Sequence, residues 1–154
     1  MIRDDYLHYF TSNEYRQWWS KMNPALVVRV DVFRGLWGAP VLVSGHHRAL
    51  GRNNGSANAS DHNVDNDGMV NAVDVFPRGL HTQKDAARAM DAAMRAGLGS
   101  IGLYPHWGGG VGLHLGVRVG RGGSNEMTRW GAVDRGGKQV YVSWEEALAQ
   151  LPER

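Results

Sequence analysis

The chain predicts an α+β domain: a small, mostly antiparallel sheet with helices packed on one face and the other face open. Three observations point there. Helical patterns lie at the two ends and once in the middle, short apolar runs of strand type cluster between them, and no linker or internal repeat divides the 154 residues. We therefore treat 1–154 as a single domain, long enough to bury a core without staples.

The elements follow in order. Asn13 is placed to cap EYRQWWSKM (14–22), where Tyr15, Trp18, Trp19 and Met22 fall near helical spacing. Asn23-Pro24 opens a second helix, PALVVRVDVFRGLWG, with Pro24 at its first position and Gly38 as its stop. Its expected buried face is Leu26, Val27, Val30, Val32, Phe33 and Leu36, although the β-branched content keeps a strand open for Val27–Val32. Pro40–Ser44 and Val70–Phe76 read as strands, separated by the polar stretch GHHRALGRNNGSANAS. Thr82 caps QKDAARAMDAAMRAG, with Ala86, Met90, Ala93 and Met94 as its expected stripe and Gly97 at its end. Ser100–Tyr104, Val111–Val119 and Lys138–Ser143 complete the strands, and Trp144–Leu151 forms a last helix.

Composition narrows the chemistry. There is no cysteine, so disulfides, thiolate metal sites and Cys nucleophiles are excluded. Any metal must be held by His and carboxylate, or by oxygen alone. A formal net charge of +2 without a Lys/Arg block argues against a nucleic-acid partner, while a weak attraction to polyanionic surfaces such as the bacterial wall remains open. MIRDDYLHYF lacks a signal peptide's apolar core, and no apolar run approaches the roughly 18 residues of a membrane span. The expectation is synthesis in the cytoplasm without membrane insertion, with delivery elsewhere left to another component.

Residues 60–76, SDHNVDNDGMVNAVDVF, hold one histidine and four aspartates ahead of an apolar run, and two metals compete for them. As a twelve-residue calcium loop starting at Asn63, the segment places Asn63, Asp65, Asp67, Asn71 and Asp74 at ligand positions 1, 3, 5, 9 and 12, with Gly68 in the glycine slot. It has Asn for Asp at the start, Asp for the bidentate Glu at the close, and no helical flanks. A catalytic zinc instead wants three protein ligands and an open position. His62 and Asp74 bracket the loop, and a carboxylate inside AVDVF is costly unless compensated. GLHLGVR offers His114, which alternation points opposite to Leu113 and Leu115.

The order of features resembles the superfamily of zinc D-Ala-D-Ala carboxypeptidases, phage endolysin peptidases and the hedgehog signalling domain. Ser60-Asp61-His62, Ala72-Val73-Asp74 and Leu113-His114-Leu115 take the places of its Ser-x-His, Ala-x-Asp and last-histidine segments. Ser44-Gly45-His46-His47-Arg48 looks like the upstream Ser-Gly-aromatic-Arg with one residue extra. Ile101-Gly-Leu-Tyr104-Pro105 and Arg129-Trp130 resemble the branch found in phage genomes. The likeness spans roughly residues 38–131.

The resemblance implies zinc held by His62, Asp74 and His114. It also implies that Arg48, with Arg52 as rival, holds a substrate carboxylate, and that the substrate is a peptidoglycan stem or cross-link peptide. It further implies a phage or prophage enzyme released to the wall through a holin-type pore, or carried in a virion with other virion proteins as partners. Eleven residues separate His62 from Asp74, more than the family uses, so part of Asn63–Val70 must loop out; a structural calcium beside the zinc would reconcile the two metals. The acids that the family places on the last ligand strand are replaced by Val111 and Gly116, so the general base is open. His106 in YPHW is the first substitute, with Asp65 or Asp67 behind it. The rival class is a non-catalytic virion structural or binding protein that keeps the fold with the metal as a staple; a calcium-dependent module without zinc is the third.

Overall fold

A computed structural model describes residues 3–55, 59–118 and 126–154. Helix α1 (Pro24–Trp37) leads to β1 (Val41–Val43), a long loop, β2 (Ala72–Pro77), α2 (Gln83–Arg95), the hairpin β3 (Ser100–Trp107) and β4 (Gly110–Gly116), then β5 (Thr128–Asp134), β6 (Gln139–Val142) and α3 (Trp144–Leu148). The strands form one six-stranded sheet in the order β1-β2-β4-β3-β5-β6. Every pair is antiparallel except β3 with β5, so the α+β class stands with a mixed, mostly antiparallel sheet.

The caps explain the boundaries. Asn23 accepts from the Ala25 amide, Pro24 fills the first turn, and Gly38 ends α1 at φ +76°. Thr82 and Asp85 form a capping box at the start of α2. The N-terminal segment departs from expectation. Ser12–Lys21 is 3-10 rather than α, Thr11 rather than Asn13 precedes it, and the backbone breaks at Arg16, whose φ is +52°. The Arg16 guanidinium donates to the Ser44 carbonyl, 2.5 Å away, which ties the kink to the loop after β1. Strand β5 is an element the sequence did not announce: TRWGAVD has a charge and a glycine in place of clear alternation.

Helices α1, α2 and α3 and one face of the sheet share a core built on Phe33, Trp37, Val73, Val75, Ile101, Leu103, Leu113 and Leu115. Two predicted faces shift. On α1 the buried positions are Leu26, Val27, Val30, Asp31, Phe33 and Trp37, while Val32 is 44% exposed. On α2 the stripe is Ala86, Ala89, Ala92 and Ala93, and Met94 is 61% exposed. Small side chains let α2 sit close to its neighbours, and the longer Met94 goes to solvent. The predicted strand end at Val119 lies outside the described residues. Among the described residues no helix is long and apolar enough to cross a membrane.

Strand register sets up the other face. Asp74 pairs with His114, His114 with Gly102, and Gly102 with Trp130, so one row crosses four strands. The next row on the same face holds Ala72, Gly116, Ser100 and Thr128. Alternate residues of a strand point to opposite faces. Val73 and Val75 therefore enter the core while Asp74 leaves it, and Leu113 and Leu115 do the same around His114.

Candidate metal centre

The sheet contributes Asp74 and His114, and the loop between β1 and β2 brings His62 over them. That loop is held by two-way backbone pairing: the Arg52 amide donates to the His62 carbonyl at 3.0 Å, and the Val64 amide to the Arg52 carbonyl at 3.0 Å. His62 Nδ1 lies 2.6 Å from the Leu50 carbonyl, an acceptor only, so Nδ1 carries the proton and Nε2 presents its lone pair. His62 Nε2 is then 3.1 Å from His114 Nδ1 and 3.3 Å from Asp74 Oδ1, and His114 Nδ1 is 3.2 Å from Asp74 Oδ1.

Three donor atoms at these mutual distances form a nearly equilateral triangle. A tetrahedral ion with bonds of about 2.0 Å separates its ligand atoms by roughly 3.3 Å. The edges of the triangle match that separation. A buried group of His62, Asp74 and His114 can thus hold a metal ion, and it is the one such His/Asp/Glu cluster among the described residues. His114 Nε2, on the far side of the ring from this triangle, is buried with no hydrogen-bond partner.

The electrostatics favour cation binding. Burial alone would raise the Asp74 carboxyl, but the hydrogen bond from His114 and the adjacent His62 ring outweigh it and bring the pKa down to about 2. Burial lowers His114 below the usual histidine value, against the raising effect of its bond to Asp74, so the ring stays neutral into mild acid.

Glycines shape the surroundings. A Cβ on Gly102 would stand 2.7 Å from the Trp130 indole, so the bare backbone lets that ring lie across β3 toward His114, with centroids 4.9 Å apart. The indole Nε1 donates to the Tyr104 hydroxyl at 3.3 Å. A Cβ on Gly112 would meet Trp107 at 2.1 Å, and Trp107 stacks on Tyr104 at 3.9 Å. Gly102→Ala is expected to push the indole off His114 and cost about 1–3 kcal/mol by overpacking, measured by urea unfolding.

The triangle lines a cleft of about 1250 Å³. Arg48, Arg52 and Arg118 supply cations to its lining, and Tyr104, Trp107, Trp130 and Tyr141 supply aromatic surface. The arginines are not equivalent. Arg52 donates to Ser60 Oγ at 2.5 Å, and Arg118 is paired with Asp61 at 3.5 Å and with Asp67. Arg48 is exposed and its guanidinium has no hydrogen-bond or ion-pair partner among the described residues, whereas that of Arg52 is engaged by Ser60.

Two expectations are corrected. His106 is not in the cleft. Pairing of β3 with β4 is irregular between Tyr104 and Trp107, Trp107 lines the cleft, and His106 sits in a small depression beside β5, its Nδ1 accepting from the Asp134 amide at 3.2 Å. The calcium-type spacing does not produce an oxygen cage either. Asn63 Oδ1 accepts from the Asn54 and Asp65 amides, and Asp65 accepts from the Gly55 amide at 2.7 Å. Asp67 accepts from the Met69 amide, Asn71 and Arg118, and Asp74 turns to the histidines. Calcium needs six to eight oxygens converging on one point; here they are spent on amides and a guanidinium. Gly68, at φ +82°, serves the turn alone.

Sequence reasoning passed over Ser100, Arg118 and the packing of Trp130. One signal was available: Gly102, Gly112 and Gly116 alternate along two strands on the same face as His114, and glycine inside a strand marks a close approach. No protein-family model, curated protein or solved structure matches the chain.

Proposed function

We propose that the chain is a zinc-dependent hydrolase that cleaves peptide bonds in peptidoglycan stem or cross-link peptides, of D,D-carboxypeptidase or endopeptidase type. The observation that carries the reading is the His62–Asp74–His114 triangle, with tetrahedral edges, opening on a cleft of about 1250 Å³. Two imidazoles and one carboxylate without sulfur suit zinc in a catalytic rather than a structural role. Zinc held there supplies Lewis-acid chemistry, activating water near neutral pH and polarising a carbonyl.

The protein's own groups account for positioning. Leu50 fixes the His62 tautomer, Asp74 remains anionic, and the Trp130 indole shields one side of His114 from water. Arg48 offers an uncommitted guanidinium whose fork fits a peptide carboxylate. The aromatic wall supplies apolar contact along the cleft. The order of ligand segments, with its likeness to the zinc D-Ala-D-Ala carboxypeptidase superfamily, supports a wall peptide as substrate and a phage or prophage origin, with the enzyme released to the wall or carried in a virion.

The test is a digest of purified peptidoglycan by zinc-loaded protein, read by mass spectrometry of the released peptides. New termini at D-amino acids support the reading; intact sacculi and intact soluble muropeptides sink it. Arg48→Ala is expected to raise KM about 10- to 100-fold, the worth of a charge-assisted pair, with a smaller change in kcat. Arg52→Ala acts less on KM because its guanidinium is already engaged by Ser60.

A second reading is a non-catalytic virion structural or binding protein in which the metal staples the β1–β2 loop to the sheet. Val111 and Gly116 where acids are expected, and His106 turned away from the cleft, favour it. Stoichiometric zinc without hydrolysis of any wall peptide would select it.

A further inference from the structure

The two histidines of the triangle are held unequally. His62 has its remote nitrogen anchored on the Leu50 carbonyl at 2.6 Å. His114 Nε2 has no partner, although His114 is only 7% exposed. A histidine that binds a metal through one nitrogen ordinarily donates the other N–H to an acceptor, which fixes ring and tautomer.

One other side-chain atom on this face is in the same condition. Ser100 is 3% exposed and its Oγ has no hydrogen-bond partner. Ser100 sits on β3 directly across from Gly116 of β4, one row from His114 on the same face. A Cβ built on Gly116 would lie 2.1 Å from Ser100 Oγ and 3.5 Å from His114 Nε2. The hydroxyl therefore occupies the space where a side chain at 116 would begin, beside the orphaned nitrogen. Two buried polar groups without partners, each costly to leave unsatisfied, meet over one glycine.

We propose that Ser100 is a positioning residue of the metal centre, its hydroxyl pairing with His114 Nε2 and holding the ring with Nδ1 turned to the ion. The inference rests on the metal reading of His62, Asp74 and His114. Rotation of Ser100 about Cα–Cβ is the motion that brings the pair together. A hydroxyl suits the place because it both donates and accepts. Without metal, Nδ1 of His114 keeps the proton it shares with Asp74, and Ser100 donates to Nε2. With metal on Nδ1, the proton moves to Nε2 and Ser100 accepts it. Neither state then leaves a buried nitrogen unsatisfied. Gly116 is part of the arrangement, since any Cβ there displaces the hydroxyl.

The test is zinc affinity by competition with a chromophoric chelator, on wild type, Ser100→Ala, Ser100→Thr, Gly116→Ala and the Ser100→Ala/Gly116→Ala pair, with melting of each metal-free form alongside. Ser100→Ala is expected to bind zinc about 10- to 100-fold more weakly, the usual cost of losing such a partner. Ser100→Thr, which keeps the hydroxyl, restores affinity. Gly116→Ala weakens binding to a similar degree, and the double variant is no worse than either single change. In ¹⁵N spectra of the zinc form, the Nε2–H of His114 is protected in wild type and exchanges faster in Ser100→Ala. Equal zinc affinity of wild type and Ser100→Ala overturns the proposal and leaves the metal reading intact. Wild type that takes no zinc removes the metal reading, and the proposal falls with it. Should Ser100→Ala fail to fold, Gly116→Ala carries the same prediction with the serine in place, and undiminished affinity there overturns it.

Discussion

Protein purified without chelators is expected to hold about one zinc per chain, and His62→Ala, Asp74→Ala and His114→Ala are each expected to lose nearly all of it. The reason is geometric. The site offers three ligand atoms with edges of 3.1–3.3 Å, and a two-ligand remnant has neither the charge nor the closure to compete with water. The loss should exceed the 10- to 100-fold that removal of an outer partner costs. Asp67→Ala is expected to retain the metal, because Asp67 is engaged by Arg118, Asn71 and the Met69 amide. Calcium without zinc, lost in Asp67→Ala, would refute the assignment.

Acid gives a second handle on the same centre. The unfolded chain binds a proton on His114 near pH 6.5, while the folded ring resists it. Stability of the metal-free protein therefore falls as pH drops from about 6.5 toward the depressed folded value. Asp74, at about 2 when folded, contributes stability that is full above the ordinary carboxylate range and lost as pH falls from 3.8 through 2. Both effects make the metal-free protein acid-sensitive. Zinc shifts the loss to lower pH, because protons must displace it from groups already reluctant to accept them. Unfolding midpoints between pH 7 and 2, with and without zinc, check this, and identical profiles would contradict it.

The largest effect on stability is expected away from the cleft. Asp31→Ala should destabilise the fold by at least about 3 kcal/mol, since hydrogen bonds to a charged group are worth about 1.5–3 kcal/mol each. Asp31 is 4% exposed on α1; its Oδ1 accepts from the Tyr9 and Phe10 amides at 2.8 and 3.0 Å, and its Oδ2 from the His8 amide at 3.0 Å. One carboxylate thus ties down the N-terminal segment and seats Phe10 against Tyr15. Truncation leaves three amides without an acceptor. Asp31→Asn, which keeps one acceptor oxygen, should fall between. The melting temperature of Asp31→Ala is expected to drop by roughly 10 °C with zinc content unchanged. A cost under about 1 kcal/mol would mean that water replaces the carboxylate.

The legible parts of the molecule were those where one residue acts through its own backbone or its strand parity. Pro24 and Gly38 bounded α1, Thr82 started α2, and Leu-His-Leu placed His114 opposite the core side of β4. Less legible was anything decided by a distant neighbour. Val30-Asp31-Val32-Phe33 sets one acid in an apolar run, and which side of it faces inward depends on where α2 and the N-terminal segment lie. Hence Asp31 is buried and Val32 is not. The loop aspartates showed the opposite failure: Asn63, Asp65 and Asp67 have calcium-loop spacing, but spacing does not reveal that Gly55 and Arg118 claim their oxygens first.

By itself the sequence determined the α+β class and the absence of thiol chemistry, because these follow from caps, alternation and composition; the three side chains that could share a metal were singled out only through the resemblance of their segments to a zinc peptidase superfamily. The tertiary structure decided that His62 reaches the sheet, that His106 does not, that Arg48 rather than Arg52 is uncommitted, and that Ser100 stands beside His114 Nε2. These depend on contacts between residues from 8 to 52 positions apart in the chain. Their distances are fixed by strand register and loop path, which no local pattern encodes.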